Sequence, residues 1–190
     1  MARIGLLKPR IAKYEATGTT VTYSAGQILA KAIDHDLTLN NSDPVILYAD
    51  DGAAESVGGF SSGALTGTVD ELQIEIAALI FGIEADTSTQ PAGSIITFDD
   101  DAEPPYLGYG VIVPKIRNNV LTWMAVMLTK IKFSIPGETY ATKGETVEFG
   151  TPQLTATVMR DDTAKHGWRK WAEFGTEEAA DTWLNTQLSI

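Results

Sequence analysis

The stretch SSGALTGTVDELQIEIAALIFG, residues 61–82, changes its hydrophobic period halfway along. In its first part Leu65 and Val69 fall on one side of an alternating pattern, while Thr66 and Thr68 fall on the other. Side chains of a β-strand point alternately to its two faces. The alternation therefore predicts a strand with one apolar face and one wet face of small polar side chains.

The second part of this stretch has helical spacing. Its apolar positions on one side are Leu72, Ile76, Leu79 and Ile80. Asp70 and Gln73 are placed to close the first turn as a capping pair, and Gly82 is a natural stop. The helix follows the strand directly and leaves no room for a long crossover. We therefore expect it to pack on an open end or face of its own sheet.

Most of the remaining chain has strand character. Residues 104–113, PPYLGYGVIV, contain two glycines that indicate close packing or a bulge. Residues 120–128, VLTWMAVML, are apolar on both faces, which predicts a central strand covered on both sides, with the helix of 61–82 as one candidate cover. In residues 146–158, TVEFGTPQLTATV, the apolar phase switches near Thr151, and we expect a bulge there.

Residues 166–188 predict a C-terminal strand followed by a helix. The strand is WRKWAEFG, and the helix TEEAADTWLNTQL has Thr176 as its N-cap and Ala180, Trp183 and Leu184 as its buried stripe. No repeat, linker or low-complexity tract interrupts the chain. The sequence therefore predicts one mainly β domain of α+β type, with two short helices, spanning all 190 residues.

Composition limits the chemistry that is available. A chain of 190 residues that is 44% hydrophobic can bury a sizeable core. It has no cysteine, hence no disulfide or thiolate metal site, and only two histidines. Its longest apolar run, WMAVML, is far shorter than the roughly 20 residues that a membrane helix needs. We expect no cofactor, no membrane association and synthesis in the cytoplasm.

The net charge of −11 is unevenly distributed. Residues 1–110 contain 5 Lys+Arg and 16 Asp+Glu, whereas residues 111–190 contain 9 of each. Much of the excess acid lies in predicted loops such as YADDGAAE and FDDDAEPP, as is usual for solvated surface. Because nucleic-acid affinity comes largely from Lys and Arg on phosphates, a protein that grips nucleic acid is disfavoured.

Two motifs resemble catalytic sites. YADD, residues 48–51, resembles the paired-aspartate turn that holds two metal ions in reverse-transcriptase-type polymerases. That site also needs a third carboxylate, a basic template channel and a larger palm domain, so an acidic hairpin turn is favoured here. His166 has no serine or cysteine partner that the sequence can assign, and we interpret it as a loop residue. An enzyme is therefore disfavoured.

The sequence DHD, residues 34–36, looks like a metal cluster until strand geometry is applied. In AIDHDLTLN the alternation puts Ile33 and His35 on the apolar, buried side and Asp34 and Asp36 on the wet side. Side chains on opposite faces cannot share one ion, so His35 is predicted to be a packed histidine. The same alternation turns Glu148 to water in TVEFG.

Several stretches, in their order along the chain, resemble one known family. These are YADDGAAES, FSSGALTGTVDEL, ALIFG, PPYLGYG, KIKFSIPGETYATKGETVEFGTPQLTAT and TWLNTQL. The chain resembles the major tail proteins, or tail tube proteins, of siphophages, which are long-tailed bacteriophages with non-contractile tails. The resemblance covers about residues 4–158, and the string that begins at Lys132 and runs to Leu154 is its most specific part.

The resemblance implies a fold, a function and a set of partners. It implies a β-sandwich or partial barrel with a flanking helix, assembled into hexameric rings that stack into a hollow virion tail tube for DNA passage. The implied partners are other copies of the chain, the tape-measure protein, the tail terminator and the baseplate. The wet strand faces then become candidates to line the lumen: Asp34, Asp36, Thr66, Thr68 and Glu148. An acidic wall would let DNA slide, since like charges repel.

Between the strands that end near Asn40 and start near Phe60 lies a segment too long for a minimal hairpin. We expect this segment, about residues 41–59, to be an arm that reaches a neighbouring ring. Its candidate stacking residues are Asp43, Tyr48, Asp50, Asp51 and Glu55.

Two rival interpretations from other classes stay open. An enzyme, polymerase-like or hydrolytic, would show metal-dependent activity as a purified monomer, and the missing His, Cys and Lys constellations argue against it. A β-sandwich module that binds a small molecule or glycan could use Trp168 and Trp171 as a stacking platform. Core packing or a subunit contact would explain the same tryptophans. A binding module should stay a small oligomer, whereas a tube subunit should form rings or long polymers.

Overall fold

The computed structural model describes residues 2–49, 52–86, 95–137 and 150–190. The strands are β1 (Ala2–Arg3), β2 (Leu7–Thr17), β3 (Thr20–Ile28), β4 (Ala32–Asn41), β5 (Val45–Ala49), β6 (Gly52–Val57), β7 (Phe60–Val69), β8 (Ala85–Asp86), β9 (Ile95–Ile96), β10 (Tyr106–Arg117), β11 (Val120–Ser134), β12 (Gln153–Met159) and β13 (Arg169–Phe174). The helices are α1 (Ile74–Phe81) and α2 (Glu177–Leu188).

Strand β11 is the centre of a nine-stranded antiparallel sheet. On one side it pairs with β10, and on the other it pairs with β13 through residues 123–128 and with β12 through residues 130–134. The strand order is β3-β2-β10-β11-β12-β7-β4, with β1 added to β10. Asn118 and Asn119, both at positive φ, form the tight turn between β10 and β11. Such a turn matches the twist of a hairpin.

The sheet is rolled so that the edge strand β4 comes back toward β2 and β10. β3 and β4 stand at opposite ends of the strand order, yet only residues 29–31 separate them in the chain. The His35 ring on β4 contacts the Tyr109 ring on β10 at 5.6 Å between centroids, although three strands separate β4 from β10 in the sheet. The result is a partial barrel. The mainly β, α+β fold class predicted from the sequence is confirmed.

Two apolar clusters lie on the two faces of β11. The cluster inside the barrel contains Met124, Val126 and Leu128 from β11, together with Ile76, Ala77, Ile80 and Phe81 from α1. The cluster on the outer face contains Ala125 and Met127 from β11, together with Ala180, Leu184 and Leu188 from α2. The prediction of a central strand covered on both sides is confirmed. The outer face is covered by α2, whereas α1 packs on the inner one.

The two glycines of β10 let α2 and β3 approach closely. A Cβ on Gly108 would lie 2.5 Å from the Tyr23 ring, and a Cβ on Gly110 would lie 2.9 Å from Leu188 Cδ1. Real Cβ contacts are longer than this, so a larger residue would force α2 outward. The register of β10 also shifts between Leu107 and Tyr109. Both the close packing and the bulge expected from the sequence are present.

Helix α2 is held on the barrel by polar contacts as well as by its apolar stripe. Arg10, which is 1% exposed, donates from Nη2 to Asp181 Oδ1 at 2.6 Å and from Nη1 to Asn185. Lys8 pairs with Glu177 at 2.9 Å. The predicted N-cap is confirmed, since the Thr176 hydroxyl accepts from the backbone of the first turn at 3.3 Å. A buried arginine is costly without a partner, so α2 and Arg10 stabilise each other's position.

Two local predictions were wrong. Asp70 does not cap α1, because its Oδ1 accepts from the backbone N–H of Lys31 at 2.9 Å, and the helix begins after Gln73 without a side-chain cap. Gly82 does end the helix, in the left-handed conformation. Ile33 is exposed and not buried, because the β4–β7 register shifts at this residue and leaves it in a bulge.

The sequence predicts that the apolar phase switches within residues 146–158, and the structure describes only residues 150–158 of this stretch. On β12, Leu154, Ala156 and Val158 are buried inside the barrel, as their spacing predicts. The first half of that stretch lies outside the described residues.

Candidate functional site

The segment between β4 and β7 forms a hairpin that stands apart from the barrel. In the described part of the chain, β5 and β6 pair with each other and with no other strand, and they make a separate two-stranded sheet. At its base the Ser42 N–H donates to Gly59 O at 2.9 Å, and the Gly59 N–H donates to Ser42 Oγ at 3.0 Å. We call residues 43–57 the arm. The arm continues the β4–β7 ladder outward without joining the large sheet.

The arm exposes three consecutive apolar side chains. Val45 is 74%, Ile46 41% and Leu47 59% exposed. Since side chains alternate along a strand, Val45 and Leu47 lie on one face of β5 and Ile46 on the other. An isolated two-stranded hairpin is at best marginally stable in water, and contiguous exposed apolar surface often marks an interaction site. Both faces of the arm are therefore suited to contact with another surface.

The predicted stacking residues fall on this arm, but the structure describes them unequally. Asp43 is exposed at its base. Tyr48 lies on β5 and Glu55 on β6, where only their backbones are described. Asp50 and Asp51 lie outside the described residues. Their role in stacking stays a prediction.

The predicted wet face of β4 and β7 is only partly open to solvent. Asp34 and Asp36 are exposed, and Thr66 is half-buried. Thr68 is 9% exposed, so its placement on a wet face was wrong. The Asp34 side chain lies against it, because Asp34 Oδ1 accepts from the Thr68 backbone N–H at 2.9 Å. The fifth lumen candidate, Glu148, lies outside the described residues.

His35 is a packed histidine, as predicted. Its ring meets Tyr109 edge-on at an interplanar angle of 69°, and its Nε2 is buried without a hydrogen-bond partner among the described residues. Burial lowers the pKa of His35, which favours the neutral ring. Within the described ranges no three His, Cys, Asp or Glu side chains come together as metal ligands do.

The two tryptophans proposed as a stacking platform have different surroundings. Trp168 is stacked on Phe60, with 4.3 Å between ring centroids and 7° between planes, so one of its faces is covered. Trp171 is 65% exposed on β13. Its ring lies 5.7 Å from Lys115 Nζ and 5.2 Å from Arg169 Cζ. The structure therefore presents one free tryptophan between two cations, and no paired platform.

The loop before β13 is held by polar contacts. The Tyr14 hydroxyl donates to Asp162 Oδ2 at 2.7 Å, and Lys130 pairs with the same carboxylate at 2.7 Å. The hydrogen bonds from Lys130 and Tyr14 hold the pKa of Asp162 below its usual value. His166 lies in this loop at positive φ, as interpreted from the sequence. The loop therefore fixes the point where β13 starts.

An open groove of about 580 Å³ lies at the end of the barrel opposite the arm. It is lined by the β3–β4 link and the start of α1, with Ile28 and Ile76 among its apolar residues and Lys8, Lys31 and Asp70 among its charged ones. Lys31 Nζ lies 3.9 Å from Asp70 Oδ2 at the rim of the groove. The groove presents no convergent set of nucleophile and base that would indicate catalysis.

Sequence reasoning missed the arginines near Trp171. Arg3 on β1 lies directly opposite Lys115 on β10, and Arg169 borders Trp171 on β13. Neither Arg3 nor Arg169 forms an ion pair with a described residue, and the Nε of Arg169 is buried without a hydrogen-bond partner. Arg3 and Arg169 come close only because of the order of the strands in the sheet. The sequence around each arginine gives no indication of that order.

The chain matches no protein-family model and no curated protein sequence in comparisons with known proteins.

No helix within the described ranges is long and apolar enough to cross a lipid bilayer.

Proposed function

We propose that this chain is a structural virion protein, the major subunit of a phage tail tube, which polymerises into stacked rings around a channel for DNA. The observation that carries the proposal is the arm, with its three exposed apolar side chains on a hairpin outside the barrel. The family resemblance of the sequence supplies the identity of the assembly, including its hexameric rings and its place in the virion.

The arm suits a repeating contact between identical copies. A protrusion that fits a different surface of the next copy makes a heterologous contact, and such contacts generate rings or open filaments. The arm projects from the end of the β4–β7 ladder, so it can extend beyond the subunit's own barrel. A repeating contact of this kind is what a tube requires.

The acidic strand face supports the second half of the proposal, passage of DNA. Asp34 and Asp36 lie exposed on β4, and the chain has no Lys or Arg between Lys31 and Lys115. A wall of one negative sign repels polyanionic DNA and prevents it from sticking. We propose that this face lines the lumen.

The remaining partners belong to the same proposal. A tape-measure protein inside the tube, a tail terminator at one end and a baseplate at the other follow from the family resemblance.

Replacement of the arm tests the proposal directly. The variant replaces residues 43–57 with a short Gly/Ser turn between the hydrogen-bonded residues Ser42 and Gly59. We expect a soluble, β-rich subunit that no longer polymerises, because the barrel core lies elsewhere. Negative-stain microscopy of concentrated wild type and variant gives the answer. Long tubes from the variant would show that the arm is not needed for polymerisation.

A second candidate, a module that binds a small molecule or glycan, is favoured only by Trp171. Its exposed ring could stack on a sugar. Trp168 is already stacked on Phe60, which leaves a platform of a single ring. Under this alternative the purified chain stays a small oligomer at every concentration, and Trp171→Ala abolishes ligand binding. Polymers in the absence of ligand would reject it.

A further inference from the structure

Two arginines near β13 have no counter-ion among the described residues. Arg169 is half-buried, and its Nε has no hydrogen-bond partner. Burial lowers the pKa of Arg169, and the positive charge of nearby Arg3 lowers it further. Within the described ranges neither arginine is paired with a carboxylate. Two like charges beside each other, one of them partly desolvated, are unfavourable until an anion joins them.

The carboxylate of Glu173 is nearby, but it is already paired with Lys115, which is nearly buried. Among the described residues this is the one ion pair that Arg3, Lys115 and Arg169 form, so the two arginines remain unpaired. This surface of an otherwise acidic protein carries an excess of positive charge.

An apolar contact site lies beside these cations. Trp171 is 65% exposed between Lys115 and Arg169. Tryptophan and arginine are the residues most enriched among those that dominate binding energy at protein interfaces. Strand β13 pairs with β11 on one side, and its other edge has no strand partner in the described part of the chain. A free edge can accept a further strand through its backbone.

We propose that Arg3, Arg169 and Trp171, with the free edge of β13, form a socket that binds the acidic, apolar arm of a second copy of this chain. The arginines pair with arm carboxylates, and Trp171 packs against the apolar side chains of β5. The socket binds protein carboxylates and not phosphate.

Charge and chemistry favour the arm as the occupant. Residues 43–57 contain Asp43, Asp50, Asp51 and Glu55 and no Lys or Arg. The same segment has a strand that exposes Val45, Ile46 and Leu47. A partner for the socket needs an extended backbone, negative charge and apolar side chains, and the arm has all three. Among the described residues the arm forms a sheet of its own, so its backbone edges are open to a strand of another molecule.

The socket deepens the tube proposal, on which it rests for the premise that copies of the chain associate. It does not require that the association be a tube. The two proposals can therefore fail separately.

Charge reversal and its rescue test the socket. In Arg3→Glu/Arg169→Glu we expect the dissociation constant for self-association to rise at least about 30-fold, since losing one partner of an interface charge pair costs that much or more. Adding Asp43→Arg and Glu55→Arg in the same chain should restore association to within about 5-fold of wild type, because the charges are exchanged. Analytical ultracentrifugation measures both. Arg160→Glu/Lys165→Glu makes the same charge change at exposed cations elsewhere, and should leave association unchanged.

A mixing experiment shows whether the contact is between molecules. One chain lacks the arm but keeps the socket, and the other carries Arg3→Glu/Arg169→Glu but keeps the arm. Each alone should stay monomeric, and an equimolar mixture should form a one-to-one dimer and nothing larger. Circular dichroism checks that both variants are folded. If both are folded and the mixture forms no dimer, the proposal is overturned. Binding of the arm to the socket of its own chain would also overturn it.

The remaining outcomes separate the two proposals. If wild type forms tubes and the arginine reversal forms them equally well, the socket is wrong and the tube stands. If the mixed dimer forms but wild type makes no tubes, the tube is wrong and the socket stands. If wild type binds duplex DNA and the reversal abolishes that binding without changing association, the arginines are a phosphate site and the socket is overturned.

Discussion

Making the arm polar should weaken polymerisation without weakening the fold. The variant is Val45→Thr/Ile46→Thr/Leu47→Ser. Full burial of one such aliphatic side chain stabilises by about 1.5–3 kcal/mol. The three are 74%, 41% and 59% exposed in the isolated chain, so that much of each remains to be buried on association. Together they supply about 3 kcal/mol per arm contact.

This energy corresponds to a measurable change in the concentration needed for assembly. At about 1.4 kcal/mol per factor of ten, the loss raises the critical concentration about 100-fold. Light scattering across a dilution series measures it. The melting temperature of the monomer should change by less than about 2 °C, because exposed substitutions cost within about 0.5 kcal/mol.

A matched variant guards against a general effect of surface polarity. Val120→Thr/Leu121→Ser removes exposed apolar surface from the start of β11, where the two side chains are 61% and 41% exposed. Its critical concentration should stay near that of wild type. Equal critical concentrations for the arm variant and wild type would refute the reasoning, since they would mean that β5 stays solvated in the polymer.

Three further perturbations test other parts of the account. Asp36→Lys should leave tubes intact but slow DNA ejection at low salt, with partial recovery at high salt, because it adds a phosphate contact to each subunit; ejection rates equal to wild type at every salt would place Asp36 outside the channel. Asp181→Asn should cost about 2 kcal/mol in urea unfolding at pH 7, because it leaves the buried Arg10 without its carboxylate. Burial raises the pKa of Asp181, but the hydrogen bonds and positive charges of Arg10 and Lys8 together outweigh burial and leave the pKa below its usual value. The ionised Asp181 carboxylate therefore stabilises the fold above the ordinary aspartate pKa, and this stabilisation is lost as the pH falls through the lowered pKa of the folded state. The difference in unfolding free energy between Asp181→Asn and wild type should therefore disappear in acid. A difference that does not depend on pH would contradict this. Gly110→Val should cost about 1–3 kcal/mol through its clash with α2, whereas Gly137→Ala, with open space around it, should cost far less, as thermal unfolding would show.

The sequence predicted best those features that depend on neighbouring residues. The strand before Asp70, the end of α1 at Gly82 and the cap of α2 at Thr176 are confirmed, since each follows from local periodicity or from one residue's backbone preference. The two apolar faces of β11 are confirmed for the same reason. Patterns of this kind need no knowledge of which strands meet.

The sequence failed where a distant residue decides the local structure. Asp70 is drawn from its capping position by the backbone of Lys31, which comes close because β4 pairs with β7. Ile33 leaves the apolar face because β4 and β7 differ by one residue in register. The buried Arg10 lies on β2, a strand for which the alternation analysis made no assignment, and its partner on α2 could not be foreseen. Long-range strand pairing is not encoded in short windows.

The pairing of β2 has a consequence for synthesis of the chain. β2 is complete at Thr17, but β10, its central neighbour, begins only at Tyr106, and α2, which covers Arg10, ends at Leu188. β3, the other neighbour of β2, follows it at once, but at roughly 5–20 residues per second β2 waits roughly 4–18 s for β10. During that interval the arm is already made while the barrel is still open. The buried Arg10 therefore meets its partners on α2 only after the strands of the barrel have been made, so the outer face of β2 stays uncovered through most of synthesis.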